Sequence, residues 1–222
     1  MNSYRAKAIV LKRVDYAESD RIVTFITEKG KVSALVKGAR KPNSKLAGGI
    51  ELLAINDIHF LKGKGDLDHV ISAKLGEHFR DILKDYDRLS SAYEYIGYIY
   101  KMTEESDEKA YFELLSKALK YLASDISLDV VDTWVYLQLL DLAGSLPNLE
   151  TDITGDKLQE DKTYSFVDKE GGFKQGGNFD QNSIKAWRIL LAKEPDELKI
   201  KGLDKILSKH KLTLRGFLQY IS

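Results

Sequence analysis

Apolar and polar residues alternate along the first third of the chain, the period of two that marks half-buried strands. Ala6-Lys7-Ala8-Ile9-Val10-Leu11-Lys12 opens the series, and the β-branched run Arg21-Ile22-Val23-Thr24-Phe25-Ile26-Thr27 follows. Lys29-Gly30 turns the chain into Val32, Ala34 and Val36, interleaved with Ser33 and Leu35. Ile50 to Leu61 is a further β-prone run with Ile55, Ile58 and Phe60 as apolar markers. Lys62-Gly63-Lys64-Gly65-Asp66 then reads as a hairpin turn into Leu67–Ser72. About five short strands with glycine-containing turns predict a small barrel.

After Ala73 the period becomes helical. Leu75 to Met102 predicts one helix with Phe79, Ile82, Leu83, Tyr86 and Leu89 on a common face. Its aromatic side (Tyr93, Tyr95, Tyr98, Tyr100) is expected to be buried. Ser106-Asp107-Glu108 offers an N-cap and acidic first turn for a second helix carrying Phe112, Leu115, Leu119 and Leu122. Asp129 to Leu142 is apolar nearly all round, which predicts the central helix of a bundle, ended by Gly144 and kept from resuming by Pro147. Two more helices are expected near Asn182–Ala192 and Leu203–Ile221. Residues 147–178 are polar and glycine-rich, with Tyr164–Val167 as the only strand-like run. That stretch is too long for a helix–helix turn and predicts a small irregular insertion.

Composition narrows the chemistry. The 222 residues contain no cysteine, so there is no disulfide, thiolate nucleophile or cysteine-ligated zinc. Met1 to Lys7 lacks the apolar core of a signal peptide, and no apolar stretch is long enough for a membrane span. A cytoplasmic chain without a membrane partner is the expectation. The 34 basic and 34 acidic residues cancel overall but not locally. Residues 1–80 hold 15 basic and 9 acidic residues, a balance of +6, and the remainder carries −6. The sharpest excess is Lys37-Gly38-Ala39-Arg40-Lys41-Pro42-Asn43-Ser44-Lys45, with four cations and no acid. Gly38, Pro42 and Asn43-Ser44 make it a loop leaving a sheet, a place to hold a phosphate backbone.

Several stretches together resemble the RecO family of bacterial recombination mediators and DNA-annealing proteins. They are Ala8-Ile9-Val10-Leu11-Lys12, Glu18-Ser19-Asp20-Arg21-Ile22-Val23-Thr24-Phe25, Thr27-Glu28-Lys29-Gly30-Lys31 and Val36-Lys37-Gly38-Ala39-Arg40-Lys41. The later half matches more loosely, through Leu139-Leu140-Asp141-Leu142-Ala143-Gly144, Pro147 and Gly171-Gly172-Phe173. The resemblance implies an α+β chain: a five-stranded OB-fold barrel over residues 1–78, then an α-helical domain over 79–222 with the insertion at about 147–178. It implies a non-enzymatic, nucleoid-associated bacterial mediator that binds single- and double-stranded DNA and anneals complementary strands. The implied partners are RecR and the acidic, apolar C-terminal tail of single-stranded DNA-binding protein. The family often carries a zinc knuckle in the insertion. Here Thr151, Thr154 and, roughly, Gln175 and Asn178 stand at its cysteine positions. None supplies a thiolate, so no metal or other cofactor is expected, and hydroxyl and amide hydrogen bonds are expected to hold the segment.

On this reading Lys37, Arg40, Lys41 and Lys45 contact phosphates, with Lys7, Lys12, Arg13, Arg21 and Lys31 added from nearby strands. Tyr4, Tyr16 and Phe60 are the candidate stacking aromatics, although Phe25 and Phe60 also alternate like core residues. The competing reading is a solvated loop, or a scaffold whose loop binds an acidic partner; the resemblance favours DNA. Asp15, Glu18 and Asp20 could be read as the metal site of a nuclease, but Arg13 and Arg21 at their edges favour local ion pairs. His59 and His69 are expected to face each other across the hairpin at most, and no histidine pair has metal-ligand spacing. The glycine pairs at 171–172 and 176–177 lack the Lys-Ser/Thr of a phosphate-cradling loop. Lys199, Lys201, Lys205, Lys209, Lys211 and Arg215 are the candidate cations for the partner tail.

Overall fold

The computed structural model describes residues 2–103 and 108–221. The chain divides into two compact units, Met1–Ala123 and Ser124–Ser222.

The first unit is built on five strands: β1 (Ser3–Tyr16), β2 (Asp20–Thr27), β3 (Gly30–Val36), β4 (Ala54–Leu61) and β5 (Leu67–His78). They close a barrel in the order β1-β2-β3-β5-β4, with β3 and β5 parallel and the other pairs antiparallel. This is the OB-fold topology. Alternation puts Ala6, Ala8, Val10, Val23, Phe25, Ala34, Val36, Ile58 and Phe60 in one buried core. The small alanines leave room for Phe25 and Phe60, which meet edge to face at 5.5 Å. Phe60 also stacks on Tyr4 at 5.1 Å, and the Tyr4 hydroxyl donates to Asp68 at 2.8 Å. Tyr4 and Phe60 are therefore wall and core of the barrel, not stacking platforms for bases.

The second long element differs from expectation. Leu75 belongs to β5, paired with Asn56, and the α-helix does not begin until Tyr86, after a 3-10 turn over Arg80–Lys84. Gly76 permits the extension: a Cβ there would lie 2.3 Å from the carbonyl oxygen of Ile55. The helix α1 (Tyr86–Met102) starts where Asp85 accepts from the amides of Asp87 and Arg88. Phe79 and Ile82 are buried as expected, but Leu83 and Tyr86 are exposed. Tyr95 and Tyr98 are buried on α1, whereas Tyr93 is exposed. The fourth strand begins at Ala54, because Ala47–Ile50 is a 3-10 turn. His59 pairs with Ser72 and His69 with Leu61, so the two histidines do not face each other.

Helices α1 and α2 (Glu108–Leu122) pack on the barrel along β1, β2 and β3. The outward-facing Ile9 and Ile26, partners across β1 and β2, are fully buried there. The Lys31 ammonium donates to the carbonyl of Tyr100 at 2.8 Å, in the last turn of α1, and lies 4.6 Å from the centre of the Tyr100 ring. A cation at a helix C-terminus offsets the dipole and satisfies an orphan carbonyl. The cap expected at Ser106 and Asp107 lies outside the described residues.

The second unit is organised on α3 (Leu128–Leu142), against which α4 (Gln181–Ala192), α5 (Leu203–Ser208) and α6 (Lys211–Ile221) pack. Gly144 ends α3 with φ +65°, and the amides of Gly144 and Ser145 bond back to Asp141 and Leu140 as a Schellman motif requires. The predicted helix over 203–221 is broken at Lys209-His210, because His210 turns inward. It is 2% exposed, stacks on Phe179 at 3.7 Å, and neither ring nitrogen has a hydrogen-bond partner. The predicted strand β6 (Tyr164–Val167) is present, and pairs with β7 (Gly172–Gln175), which the sequence pattern does not reveal.

Two expectations follow. Replacing Lys31 by Ala should lower stability by about 1–2 kcal/mol in urea denaturation, since a charged hydrogen bond to the helix end is lost. Burial holds the His210 imidazole below its ordinary value of 6.5, with Lys209 acting the same way and Asp180 opposing. The neutral ring is favoured in the fold, so stability should decline as the pH falls through 6.5, where only the unfolded chain takes up the proton. The denaturation midpoint should drop between pH 7.5 and about 5.5, and drop less in His210→Phe.

Candidate nucleic-acid interface

The basic run leaves β3 as a pinned loop. The Gly38 amide donates to Asp20 Oδ1 at 2.7 Å and the Arg40 amide to the carbonyl of Ser19 at 2.9 Å, tying the run to the β1–β2 hairpin. Gly38 has φ +63°, a left-handed conformation that glycine adopts at least cost. Ala39 is buried in the barrel core, and Leu46 packs against it. Downstream, a Cβ on Gly49 would lie 2.3 Å from the Ala73 backbone, so only glycine fits this approach of the 3-10 turn to β5. Between these anchors Lys37, Arg40, Lys41 and Lys45 are exposed.

The loop has no acid in sequence, yet it has acids in space. Asp15 Oδ1 accepts from Arg21 Nε at 2.9 Å, and Asp15 Oδ2 lies 3.5 Å from Arg40 Nε. The Arg21 hydrogen bond, with the charges of Arg40, Arg21 and Arg13, holds the Asp15 carboxyl below the usual carboxylate range. Arg13 reaches the carbonyl of Ile50 at 3.4 Å and Glu51 at 3.8 Å. Arg13, Arg21 and Arg40 thus gather at the hairpin end with Asp15 among them. Lys37, Lys41 and Lys45 have no ion pair among the described residues. Beside them, at the hairpin tip, Tyr16 is 52% exposed and paired across the strands with Asp20. Of the three candidate aromatics it alone has a free face.

Other candidates lie elsewhere. Lys31 is committed to the end of α1, and Lys12 lies 4.9 Å from the Tyr100 ring centre. Lys7 pairs across the strands with Asp57, on the half of β1 remote from the hairpin. The carboxylates of the nuclease reading do not converge: Asp15 serves arginines and Asp20 serves the Gly38 amide. Among the described residues no group of three or more histidines and acids could hold a metal ion.

In the insertion, Thr154 and Gln175 carry side-chain hydrogen bonds and Thr151 bonds through its backbone amide. Thr154 donates through its hydroxyl (2.7 Å) and its amide (2.9 Å) to Asp152 Oδ1, which also accepts from the Asp156 amide at 3.1 Å. Asn148 Oδ1 accepts from the Thr151 amide at 3.0 Å. Gln175 accepts from Lys162 at 3.3 Å. Beneath lies an aromatic core: Phe173 meets Phe166, Phe179 and Trp187 at 5.5, 5.3 and 5.9 Å. The side chains at these positions are hydroxyls and amides, which do not fit zinc, and those of Thr154 and Gln175 are already engaged with protein.

The cations proposed for a partner tail are divided as well. Lys211 bridges Asp129 at 2.7 Å and Asp132 at 3.0 Å, tying α6 to α3. An apolar groove of about 230 Å³ lined by Val130, Leu198, Ile200 and Leu203 is edged by Asp196 and Asp204, charges that oppose an acidic ligand.

The hydrogen-bonded insertion predicts that EDTA leaves the thermal unfolding of the chain unchanged. Asp152→Ala should lower its melting temperature, and elemental analysis should find no stoichiometric zinc.

The family model described as the N terminal of recombination protein O matches residues 1–79. The DNA repair protein RecO of Halalkalibacterium halodurans is 30% identical over 176 residues, which cover 77% of this chain and 66% of that protein. The RecO of Acetivibrio thermocellus is 45% identical over 93 residues, covering 41% of this chain and 37% of the relative. Against these two the chain spans less than two thirds of the relative's length. The match to the RecO of Desulforamulus reducens, 27% identical, covers 99% of this chain and 90% of that protein. With the barrel topology, the strand motifs and these relatives in agreement, the chain belongs to the RecO family.

Proposed function

We propose that this chain acts in DNA repair and recombination as a non-enzymatic mediator, gripping DNA at the hairpin end of its barrel. The relatives' name, DNA repair protein, supports the biological role. The observation that carries the contact is the set of unpaired lysines, Lys37, Lys41 and Lys45, on a loop held rigid by Asp20 and Ser19. A pinned loop spends little entropy on binding, and unpaired ammonium groups gain counterion release without breaking an existing ion pair. Arg13, Arg21 and Arg40 reinforce the field but share it with Asp15 and Glu51. Tyr16 supplies a face on which a base can stack.

In this reading the barrel over residues 1–78 is the DNA-binding domain, and single and double strands are both ligands because contact is to the backbone. Charge neutralisation lets complementary strands approach and anneal. RecR and the tail of single-stranded DNA-binding protein are the partners through which recombinase loading would follow. No catalytic group is needed for any of this.

The test is salt-dependent binding of a fluorescent oligothymidylate, paired with an annealing assay with and without single-stranded DNA-binding protein. Lys37→Glu/Lys41→Glu should weaken binding at least tenfold and reduce the slope of log K against log salt by about 1.4, at ~0.7 per lost phosphate contact on a single strand. It should slow annealing in parallel. Unchanged affinity and slope would remove the loop from the interface.

A further inference from the structure

The outer face of the barrel carries a second set of free cations, away from the loop. On β1, Arg5 and Lys7 point outward, two residues apart. Across the sheet Arg5 pairs with His59 and His59 with Ser72; Lys7 pairs with Asp57 and Asp57 with Lys74. Two parallel rungs, Arg5–His59–Ser72 and Lys7–Asp57–Lys74, therefore cross β1, β4 and β5. They line a groove of about 470 Å³. Its acids are Asp57 and Glu28, which leave a balance of one positive charge against Arg5, Lys7 and Lys74, and among the described residues none of these three cations makes a close ion pair. In the loop cluster, by contrast, each arginine has a carboxylate partner.

The groove is separate from the loop. Lys7 and Arg13 are roughly 20 Å apart along β1, at about 3.3 Å per residue. Between them the outward Ile9 is fully buried on the stretch of β1 where α1 and α2 pack, and Leu11 at the register shift is buried too, so a ligand cannot follow that face from one set to the other. On β5, Gly49 of the 3-10 turn approaches the backbone of Ala73, which packs on the barrel core, while the groove residues Ser72 and Lys74 are exposed.

We infer that the β1–β4–β5 groove is a second polyanion site, which holds the phosphate backbone of another nucleic-acid strand while the loop holds the first. Arg5 and Lys7 lie along one strand and Lys74 two strands away, about 10 Å across at 4.8 Å per strand spacing. A backbone lying along the groove is thus met from both walls. His59 and Ser72 add hydrogen-bond donors on the neighbouring rung, beside Arg5. Two backbones held on one barrel are brought close without first meeting in solution. The identity of the polyanion rests on the DNA reading given above; the existence of a second site rests on the groove alone.

The experiment uses the full chain and two non-complementary oligothymidylates, one carrying a donor fluorophore and one an acceptor, with light scattering to report the number of chains per complex. Wild type should hold two oligonucleotides per chain, with energy transfer. Arg5→Gln/Lys7→Gln/Lys74→Gln alters only exposed side chains. It should keep the tighter binding event within twofold, weaken the second at least tenfold, and abolish energy transfer. The salt slope of the second event should fall by about 2, at ~0.7 per phosphate. A Lys37→Gln/Lys41→Gln variant should weaken the tighter event instead. One oligonucleotide per wild-type chain overturns the second site while leaving the loop reading intact, and no DNA binding by wild type overturns both. Two oligonucleotides retained by the triple variant, with the energy transfer of wild type, also overturns the proposal.

Discussion

Closure of the barrel by the parallel pairing of β3 with β5 is the constraint on which the first unit depends. A closed sheet has no free edge, so every loop must leave from an end and every outward residue must face solvent, a helix or a ligand. The closure works because Ala6, Ala8 and Ala34 leave room for Phe25 and Phe60 inside. β1 runs fourteen residues, pairing β4 with its first half and β2 with most of the rest, with a register shift near Leu11. One strand thus contributes Arg5 and Lys7 at one end and Arg13 and Asp15 at the other, while its middle is roofed by helices.

Charge in this molecule has to be counted in space. The basic loop gains Asp15 and Asp20 from a hairpin about twenty residues earlier; Asp15 pairs with its one arginine, Arg40, and Asp20 fixes the loop backbone. The carboxylates that suggest a metal site in the sequence are what shape the cationic one. The consequence is a division of labour: arginines and acids build the end of the barrel, and the lysines that remain unpaired are exposed on it.

Much of the architecture was legible because period two and period 3.6 are distinct over long runs. β3 alternates, β2 is marked by its β-branched run and α3 by an apolar stretch too long for a strand, and the Gly144 stop rests on a conformation that glycine favours. The failures occur where both periods fit. Leu75, Phe79 and Ile82 have helical spacing, but cross-strand pairing to β4 and the close approach at Gly76 extend the sheet as far as His78. The break at His210 has no glycine or proline to announce it; burial against Phe179 decides it. The candidate site was half legible. A run of cations within nine residues is visible as such, but Lys31 is an equally good cation in sequence and is consumed by the end of α1. The groove joins residues about seventy positions apart, and only the register of three strands reveals it.

Lysine footprinting by acetylation and mass spectrometry, on the full chain with and without oligothymidylate at low salt, tests most directly the claim that the barrel's unpaired cations hold DNA. Lys37, Lys41 and Lys45 should be protected first, and Lys7 and Lys74 at higher oligonucleotide concentration. Lys31 should react little in either state, being engaged with Tyr100. Protection confined to the lysines of the helical unit, such as Lys199, Lys201 and Lys205, with the barrel lysines unchanged, would contradict the account.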